Sequence, residues 1–362
     1  MNVLYCLLLL VDSRFTAAFT TNKQRCKSQG DMPTLCTKAN DLWSVDELRG
    51  ALPIFFKIYL DRPIRANFHG ISMNHAFSIW FLAQKLKPSV IIESGVYRGQ
   101  GTWMLRNGSG PDTKIYSIDP RNPSILVFRD ASPRTTYFMG DKFHDFGKIP
   151  WSKLLTPQEI RSTLVVLDDH MSSVKRTLQA LRVGFQHLWY DDNWKYEKAD
   201  CYSFNTVCSP SHGTKGVVYK DNFGAFSKVI SYEEHRQNVV FLQDNIDAYF
   251  EFPPIYNSCE QILGKEFQRN QSGLSWRQNL LSGREVWELG KVNYHANPEF
   301  FTYFPPYVRL RQHDGIFDEA SAIRTTPLLL EISHRLSPMK VSGAGIDYQG
   351  NGSISLTGGP SS

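Results

Sequence analysis

Five short apolar runs in the middle of the chain each end in an acidic residue. The acids recur at intervals of 22 to 27 residues and are Glu93, Asp119, Asp141, Asp168 and Asp192. A strand, a turn, a helix and a second turn take up about that length, so each interval predicts one strand-and-helix unit. Acids at the carboxyl ends of successive parallel strands meet at one edge of a sheet, where open α/β folds bind ligands. The pattern therefore predicts both a fold and the position of its site.

The segments around these acids have the composition of buried strands and of the helices that cover them. The run Leu164–Leu167 is continuously apolar, as in strands covered on both faces. Segment 172–182 begins with a serine that can cap a helix, and its Val174, Leu178 and Leu181 form an apolar stripe. We therefore predict a doubly wound α/β sheet. The competing interpretation is that the acids only cap helices. It explains any single acid well, but it explains five acids at nearly regular intervals less well.

The rest of the chain divides into regions of different character. Residues 19–87 are interpreted as a loop and a helical cover, with a helix pattern at 74–86. Residues 88–320 are interpreted as the sheet domain with insertions, and the tail 337–362, rich in glycine and serine, as disordered. Further strands are expected in 239–242, 248–252 and 301–310, the last of them interrupted by Pro305 and Pro306.

The first 18 residues resemble a secretory signal peptide. An apolar run at 3–11 is too short to span a membrane, and small residues follow it at 16–18. This predicts a mature chain in the secretory pathway, either in the lumen or secreted, without a membrane span. Two alternatives stay open. Phe19 directly after the small residues resembles a bipartite plastid leader, and an uncleaved N-terminal helix would leave the protein cytoplasmic.

Charge and cysteine content exclude some classes of function. The net charge of +5 is spread along the chain without a basic stripe, so we expect no nucleic-acid partner. The six cysteines include no C-x-x-C pair, which argues against a structural zinc site. If the protein is secreted, Cys26 with Cys36 and Cys201 with Cys208 are candidate local disulfides, while buried thiols are the alternative.

A glycine-rich loop follows the first predicted strand. Between Glu93 and Thr102 it contains Gly95, Gly99 and Gly101, a spacing that differs from the G-x-G-x-x-G of nicotinamide dehydrogenases. Asp119, at the end of the next strand, can accept hydrogen bonds from both ribose hydroxyls of a nucleoside.

The third strand adds two candidates for binding a purine base. Asp141 could accept from an adenine amino group, and Phe143 could stack on the base. The competing interpretation, given equal weight, is a capping acid and a core aromatic.

The pattern Glu93-x-Gly95-x-x-x-Gly99, followed by Asp119, resembles the cofactor motif of class I S-adenosylmethionine-dependent methyltransferases over residues 88–193. The resemblance implies a Rossmann-like, mostly parallel sheet with an antiparallel last strand, and S-adenosylmethionine as cofactor. The implied cofactor residues are Glu93, Gly95, Tyr97, Gly99, Gly101, Asp119, Asp141 and Phe143.

A second group of polar residues follows the fourth and fifth strands. These strands are neighbours in the implied order, so their terminal oxygens could share a cation such as Mg²⁺. The arrangement resembles metal-dependent O-methyltransferases of the catechol type and the cephalosporin-hydroxylase-like branch. The candidate ligands are Asp168, Asp169, Asp191, Asp192 and Asn193.

The general base departs from the catechol pattern. Those enzymes have a lysine three residues after the strand-four acid, where this chain has Met171. Lys175 is the nearest lysine, and His170 or His144 could serve instead because neutral imidazole is a competent base near neutral pH. A purely hydrogen-bonding role for both histidines is the alternative.

Together these features predict an O-methyltransferase that acts on a hydroxyl of a small molecule or sugar. The alternatives are a non-catalytic binding protein of the same fold and a different nucleotide-dependent enzyme.

Overall fold

The computed structural model describes the central part of the chain. The described residues are 42–64, 67, 70–193, 201–208, 217–221, 226–252, 255 and 305–312. The predicted leader and tail lie outside them. Within these residues no helix is both long and apolar enough to cross a membrane.

The described strands and helices alternate through the predicted sheet region. The strands are β1 (Val90–Ser94), β2 (Lys114–Asp119), β3 (Thr135–Met139), β4 (Leu164–Leu167), β5 (His187–Tyr190), β6 (Val217–Asp221), β7 (Phe226–Ile230), β8 (Ile246–Glu251) and β9 (Pro306–Leu310). The α-helices are α1 (Val45–Leu60), α2 (Met73–Leu86), α3 (Gln100–Gly108), α4 (Trp151–Leu154), α5 (Pro157–Ser162), α6 (Ser173–Val183), α7 (Phe204–Val207) and α8 (Tyr232–Asn245). Short 3₁₀ helices cover Pro123–Ile125, Gly140–Lys142 and Phe146–Lys148.

Seven of these strands form one sheet in the order β3-β2-β1-β4-β5-β9-β8. Strands β1 to β5 are parallel, and β9 runs antiparallel to both β5 and β8. The predicted Rossmann-like sheet with an antiparallel strand near its end is thereby confirmed. The carboxyl ends of β1 to β5 form one edge, here called the strand-end edge.

Alternate residues of the central strands point to two separate cores. In β4, Val165 and Leu167 join the core that includes α6 and α8, while Leu164 and Val166 join the core under α1, α2 and α3. All four are at most 3% exposed, which explains why the strand is apolar without interruption. Burial on both faces makes the sheet a rigid support for its loops.

Two helix predictions are confirmed, and one strand prediction is wrong. Helix α6 is capped by the Ser172 side chain, which accepts from the Lys175 amide, and buries the predicted stripe. Helix α2 matches the predicted segment 74–86. The apolar run 239–242 lies inside α8 rather than in a strand. Phe241 and Leu242 are buried there while Val240 is 39% exposed, as expected for a helix with one covered face.

The predicted disulfide between Cys201 and Cys208 is wrong. Cys201 keeps its thiol, which lies 3.4 Å from the carbonyl oxygen of Asp192. Cys208 is disulfide-bonded, so its partner is a cysteine other than Cys201. Cys26 and Cys36 lie outside the described residues.

Candidate functional site

The glycine-rich loop after β1 lies against two backbone segments. Gly95 has φ +100°, and a Cβ placed on it would lie 1.7 Å from the carbonyl oxygen of Asp168. Gly99 has φ +93°, and its Cβ would lie 2.1 Å from the carbonyl oxygen of Phe128. Only glycine fits both the conformation and the space. Tyr97 between them also has a positive φ of 48°, a strained conformation of the kind found at functional sites.

Glu93 lies buried beneath this loop. Its carboxylate is 1% exposed and accepts from the hydroxyls of Thr102 at 2.5 Å and Ser117 at 2.9 Å. Gly101 is close by, since its Cβ would lie 2.4 Å from Glu93 Oε1. Burial, with a contribution from Asp119, raises the pKa of Glu93 to about 7, although the two hydroxyls lower it in part. Glu93 therefore ties β1 to α3 and β2.

Asp119 at the end of β2 is fully buried and surrounded by donors. It accepts from the backbone amides of Val96 and Tyr97 at 2.9 and 2.8 Å. Arg121 adds its amide at 2.9 Å, Nε at 2.8 Å and Nη2 at 2.6 Å. Burial alone would raise the pKa of Asp119, but these hydrogen bonds and the guanidinium charge hold it below its usual range.

The residues after β3 are more open. Asp141 and His144 are exposed, whereas Phe143 is half-buried and packs on the core. The packing of Phe143 agrees with its interpretation as a core aromatic. A role for Asp141 in binding a base stays a prediction.

Asp168, His170 and Asp192 come together where β4 and β5 end. One potential ligand atom from each lies within 4.8 Å of the other two. His170 has φ +54°, its amide donates to Asp192 Oδ2 at 3.0 Å, and its Nδ1 lies 3.2 Å from Asp192 Oδ1. Burial, together with the charges of Asp191 and Asp192, raises the pKa of Asp168 well above its usual range. Two carboxylates and an imidazole at this separation can bind a divalent cation.

The other predicted ligands contact protein groups. Asp169 accepts from Ser94 Oγ at 2.6 Å and pairs with Arg176 Nη2 at 2.7 Å. Asp191 lies 2.5 Å from His75 Nδ1. Asn193 Oδ1 accepts from the amide of Asn205 in α7 at 2.9 Å. Of the five predicted ligands, the structure thus brings Asp168 and Asp192 into the group, and it adds His170, which was predicted as a base.

Sequence reasoning missed the residues that hold this group in place. His75 is 1% exposed and reaches Asp191 from α2, a segment interpreted only as a cover. Arg176 is 2% exposed and joins Asp169 to Asp145, whose carboxylate it contacts at 2.9 Å. A histidine in the apolar run of α2 and an arginine beside the α6 stripe were the available signals. Neither signal indicates which distant partner is contacted.

Lys175, the other candidate base, lies in the first turn of α6. It is half-buried, and its amide donates to the Ser172 side chain that caps the helix. A role for Lys175 as the base stays a prediction.

No protein-family model matches the chain, and no curated protein matches it in sequence. Solved structures of similar fold include an O-methyltransferase from Bacillus cereus in complex with SAH, at 12% identity and TM-score 0.30, with 44% of this chain and 71% of that chain covered. A putative O-methyltransferase from Klebsiella pneumoniae is 17% identical at TM-score 0.28, with 42% and 74% covered. A putative S-adenosylmethionine-dependent methyltransferase from Listeria monocytogenes is 10% identical at TM-score 0.34, with 66% and 98% covered. These likenesses concern the fold, so function is argued below from the site.

Proposed function

We propose that the protein is an S-adenosylmethionine-dependent methyltransferase that methylates a hydroxyl oxygen with the help of a divalent cation, Mg²⁺ or a similar ion. The observation that carries the proposal is the group of Asp168, His170 and Asp192 beside the glycine-rich loop. Gly95 brings that loop against the backbone of Asp168, so a ligand over the loop would lie next to a cation at the group.

The cofactor side rests on the loop and on the acid that follows it. Gly95 and Gly99 allow the backbone to approach a ligand, and Asp119 lies at the strand end where a nucleoside ribose binds in such folds. Glu93 and the amides of Val96 and Tyr97 fix this arrangement from below.

The cation side rests on the carboxylates of Asp168, Asp191 and Asp192, whose charges act on one another after β4 and β5. Burial, followed by the charges of Asp191 and Asp192, raises the pKa of Asp168, and a bound cation would favour its charged form. Such an ion would lower the pKa of an acceptor hydroxyl and orient it. Asp169 and Asp191, held by Arg176 and His75, would keep the ligand-bearing loops in place, as outer partners of metal sites do.

In the proposed reaction the acceptor oxygen forms a bond to the methyl carbon of the sulfonium. The carbon–sulfur bond breaks, its electron pair goes to sulfur, and a neutral sulfide leaves. The hydroxyl proton passes to a base, for which Lys175 and His144 stay predictions. His170, if it binds the cation, is not that base.

The acceptor and the location are also proposals. We infer a small-molecule or carbohydrate acceptor, no nucleic-acid partner, and a place in the secretory pathway, with a plastid or the cytoplasm as alternatives. The charge distribution and the first 18 residues support these inferences.

Calorimetric titration with S-adenosylmethionine and with its demethylated product S-adenosylhomocysteine, with and without Mg²⁺, tests the proposal. We expect micromolar binding of both. Methyl transfer to an acceptor hydroxyl should depend on the cation and disappear in the double variant Asp168→Ala, Asp192→Ala. Asp112→Ala, at an exposed acid that precedes β2 and lies outside the candidate site, is the matched control and should keep cation-dependent transfer. Cation-independent transfer by the double variant would contradict the metal part.

A second candidate function is a non-catalytic binding protein of the same fold. The observation that favours it is the side chain of Arg121, which engages the carboxylate expected to bind ribose. Folded protein that binds neither S-adenosylmethionine nor its product would support this alternative.

A further inference from the structure

The Asp119 carboxylate is saturated by the protein's own donors. A carboxylate offers about four lone-pair sites. Five N–H groups from Val96, Tyr97 and Arg121 lie within 2.6–2.9 Å of its two oxygens. A ribose diol placed at this strand end would find no acceptor capacity on Asp119 in this arrangement.

The Arg121 guanidinium is the one of these donors that can leave. The amides of Val96, Tyr97 and Arg121 belong to the backbone at the ends of β1 and β2, and the first two lie in the loop fixed by Gly95 and Gly99. The Arg121 side chain, in contrast, is 46% exposed, and its contacts are the Asp119 carboxylate and the face of the Tyr97 ring at 4.8 Å. Side-chain rotation would free positions on both carboxylate oxygens without moving the loop.

We infer that Arg121 is an affinity-determining residue of the cofactor site: its guanidinium occupies the ribose positions of Asp119 and must be displaced when a nucleoside binds. This inference rests on the proposed function, because it takes the ligand to be S-adenosylmethionine or its product. The displaced contact is an ion pair, so its loss lowers the apparent affinity of the site.

The test is calorimetric titration of the full chain with S-adenosylhomocysteine, a neutral sulfide, and compares wild type with Arg121→Gln. Glutamine keeps the backbone amide bond to Asp119 but loses the charged fork. We expect the variant to bind about fivefold more tightly, which corresponds to about 1 kcal/mol for a half-exposed ion pair. High salt should reduce the difference in affinity between wild type and Arg121→Gln, since it weakens the ion pair between Arg121 and Asp119 in wild type.

Arg134→Gln is the matched control. Arg134 is also 46% exposed and also pairs with an aspartate, Asp112, but it precedes β3 at the opposite edge of the sheet. Its removal should leave affinity unchanged. The double variant Asp119→Asn, Arg121→Gln should bind S-adenosylhomocysteine more weakly than Arg121→Gln alone, because the carboxylate that accepts from the ribose hydroxyls is then lost.

The outcomes separate this inference from the proposed function. Equal or weaker binding by Arg121→Gln, with wild type still binding, overturns the role of Arg121 and leaves the methyltransferase proposal standing. Absence of binding by both proteins in the folded state overturns both. If Arg121→Gln unfolds, Arg121→Lys replaces it: tighter binding, without the bidentate fork, supports the inference, and unchanged binding contradicts it.

Discussion

The carboxylates on the two halves of the strand-end edge have opposite electrostatic surroundings. After β2, Asp119 receives donors from three residues, and its pKa lies below the usual range. After β4, burial and then the charges of Asp191 and Asp192 raise the pKa of Asp168 well above its usual range. The first carboxylate is stabilised by the protein alone. The second is left with repulsion that a cation would relieve.

This difference separates two ways in which an acid can serve a site. A compensated acid is rigid and must lose a protein partner before it binds a ligand. Carboxylates that repel one another cost stability without a cation, as expected of a functional site rather than a structural one. Four variants test this contrast.

The largest effect is expected where the two halves touch. Gly95→Ala would place a Cβ 1.7 Å from the carbonyl oxygen of Asp168, so the loop or β4 must move. We expect a loss of more than about 4 kcal/mol in the free energy of unfolding, measured by urea denaturation. Gly184→Ala is the matched control. It has a similar φ of +96°, but its nearest neighbour is a side-chain methyl group at 3.6 Å, so about 1 kcal/mol is expected. Equal losses would mean that the two halves are not in contact.

The next effect concerns the support of the β5 side. His75→Ala would leave the buried Asp191 carboxylate without its partner on α2, and we expect a loss of about 3 kcal/mol in unfolding free energy. Lys85→Ala on the same helix removes the exposed pair with Glu47 and should cost at most about 1 kcal/mol. Similar small losses for both would show that α2 covers the sheet without holding the site.

These supports mark the limit of prediction from sequence. The period of the apolar runs predicted the sheet, because buried strands must be apolar and parallel strands need helical crossovers. The strand order that makes β4 and β5 neighbours, and so brings Asp168 and Asp192 together, was implied by the resemblance to class I methyltransferases and not by the period itself. It could not assign Asp191 to His75, because that contact spans 116 residues and depends on how α2 packs.

Prediction from local sequence also failed where one apolar pattern fits both a strand and a helix. The run 239–242 is apolar in a way that fits a buried strand or one face of a helix. The Ser231 cap and the single buried face decide for α8. Likewise, the sequence predicts Asp119 at the end of β2, as the structure has it, but it does not indicate that the side chain of Arg121, two residues on, contacts this carboxylate.

The third effect tests the repulsion between the carboxylates after β4 and β5 directly. Asp168→Asn removes one of the facing carboxylates, so the metal-free protein should become more stable while Mn²⁺ or Mg²⁺ binding weakens by at least about 100-fold. The measurement is the rise in melting temperature with added cation, which should be present in wild type and absent in the variant. Asp141→Asn should behave as wild type. A cation-induced rise that survives in Asp168→Asn would place the ion elsewhere.

The smallest effect concerns Glu93, which lies on the Asp119 side of the edge. Its two hydrogen bonds from hydroxyls do not offset the effect of burial on its pKa. Its pKa is raised from 4.5 to about 7 by burial, so the folded state keeps a proton that the unfolded chain has already released. The free energy of unfolding should therefore fall by about 2 kcal/mol between pH 5 and 7, as pH rises through that window. Glu93→Gln should flatten this part of the profile, because glutamine does not titrate. Glu47→Gln, at an exposed carboxyl whose pKa is lowered, is the control and should keep the wild-type slope above pH 5. If the free energy of unfolding of Glu93→Gln falls between pH 5 and 7 as steeply as that of wild type, Glu93 is ionised in the folded protein, as Asp119 is. The loss of stability with rising pH would then originate in the acids after β4 and β5.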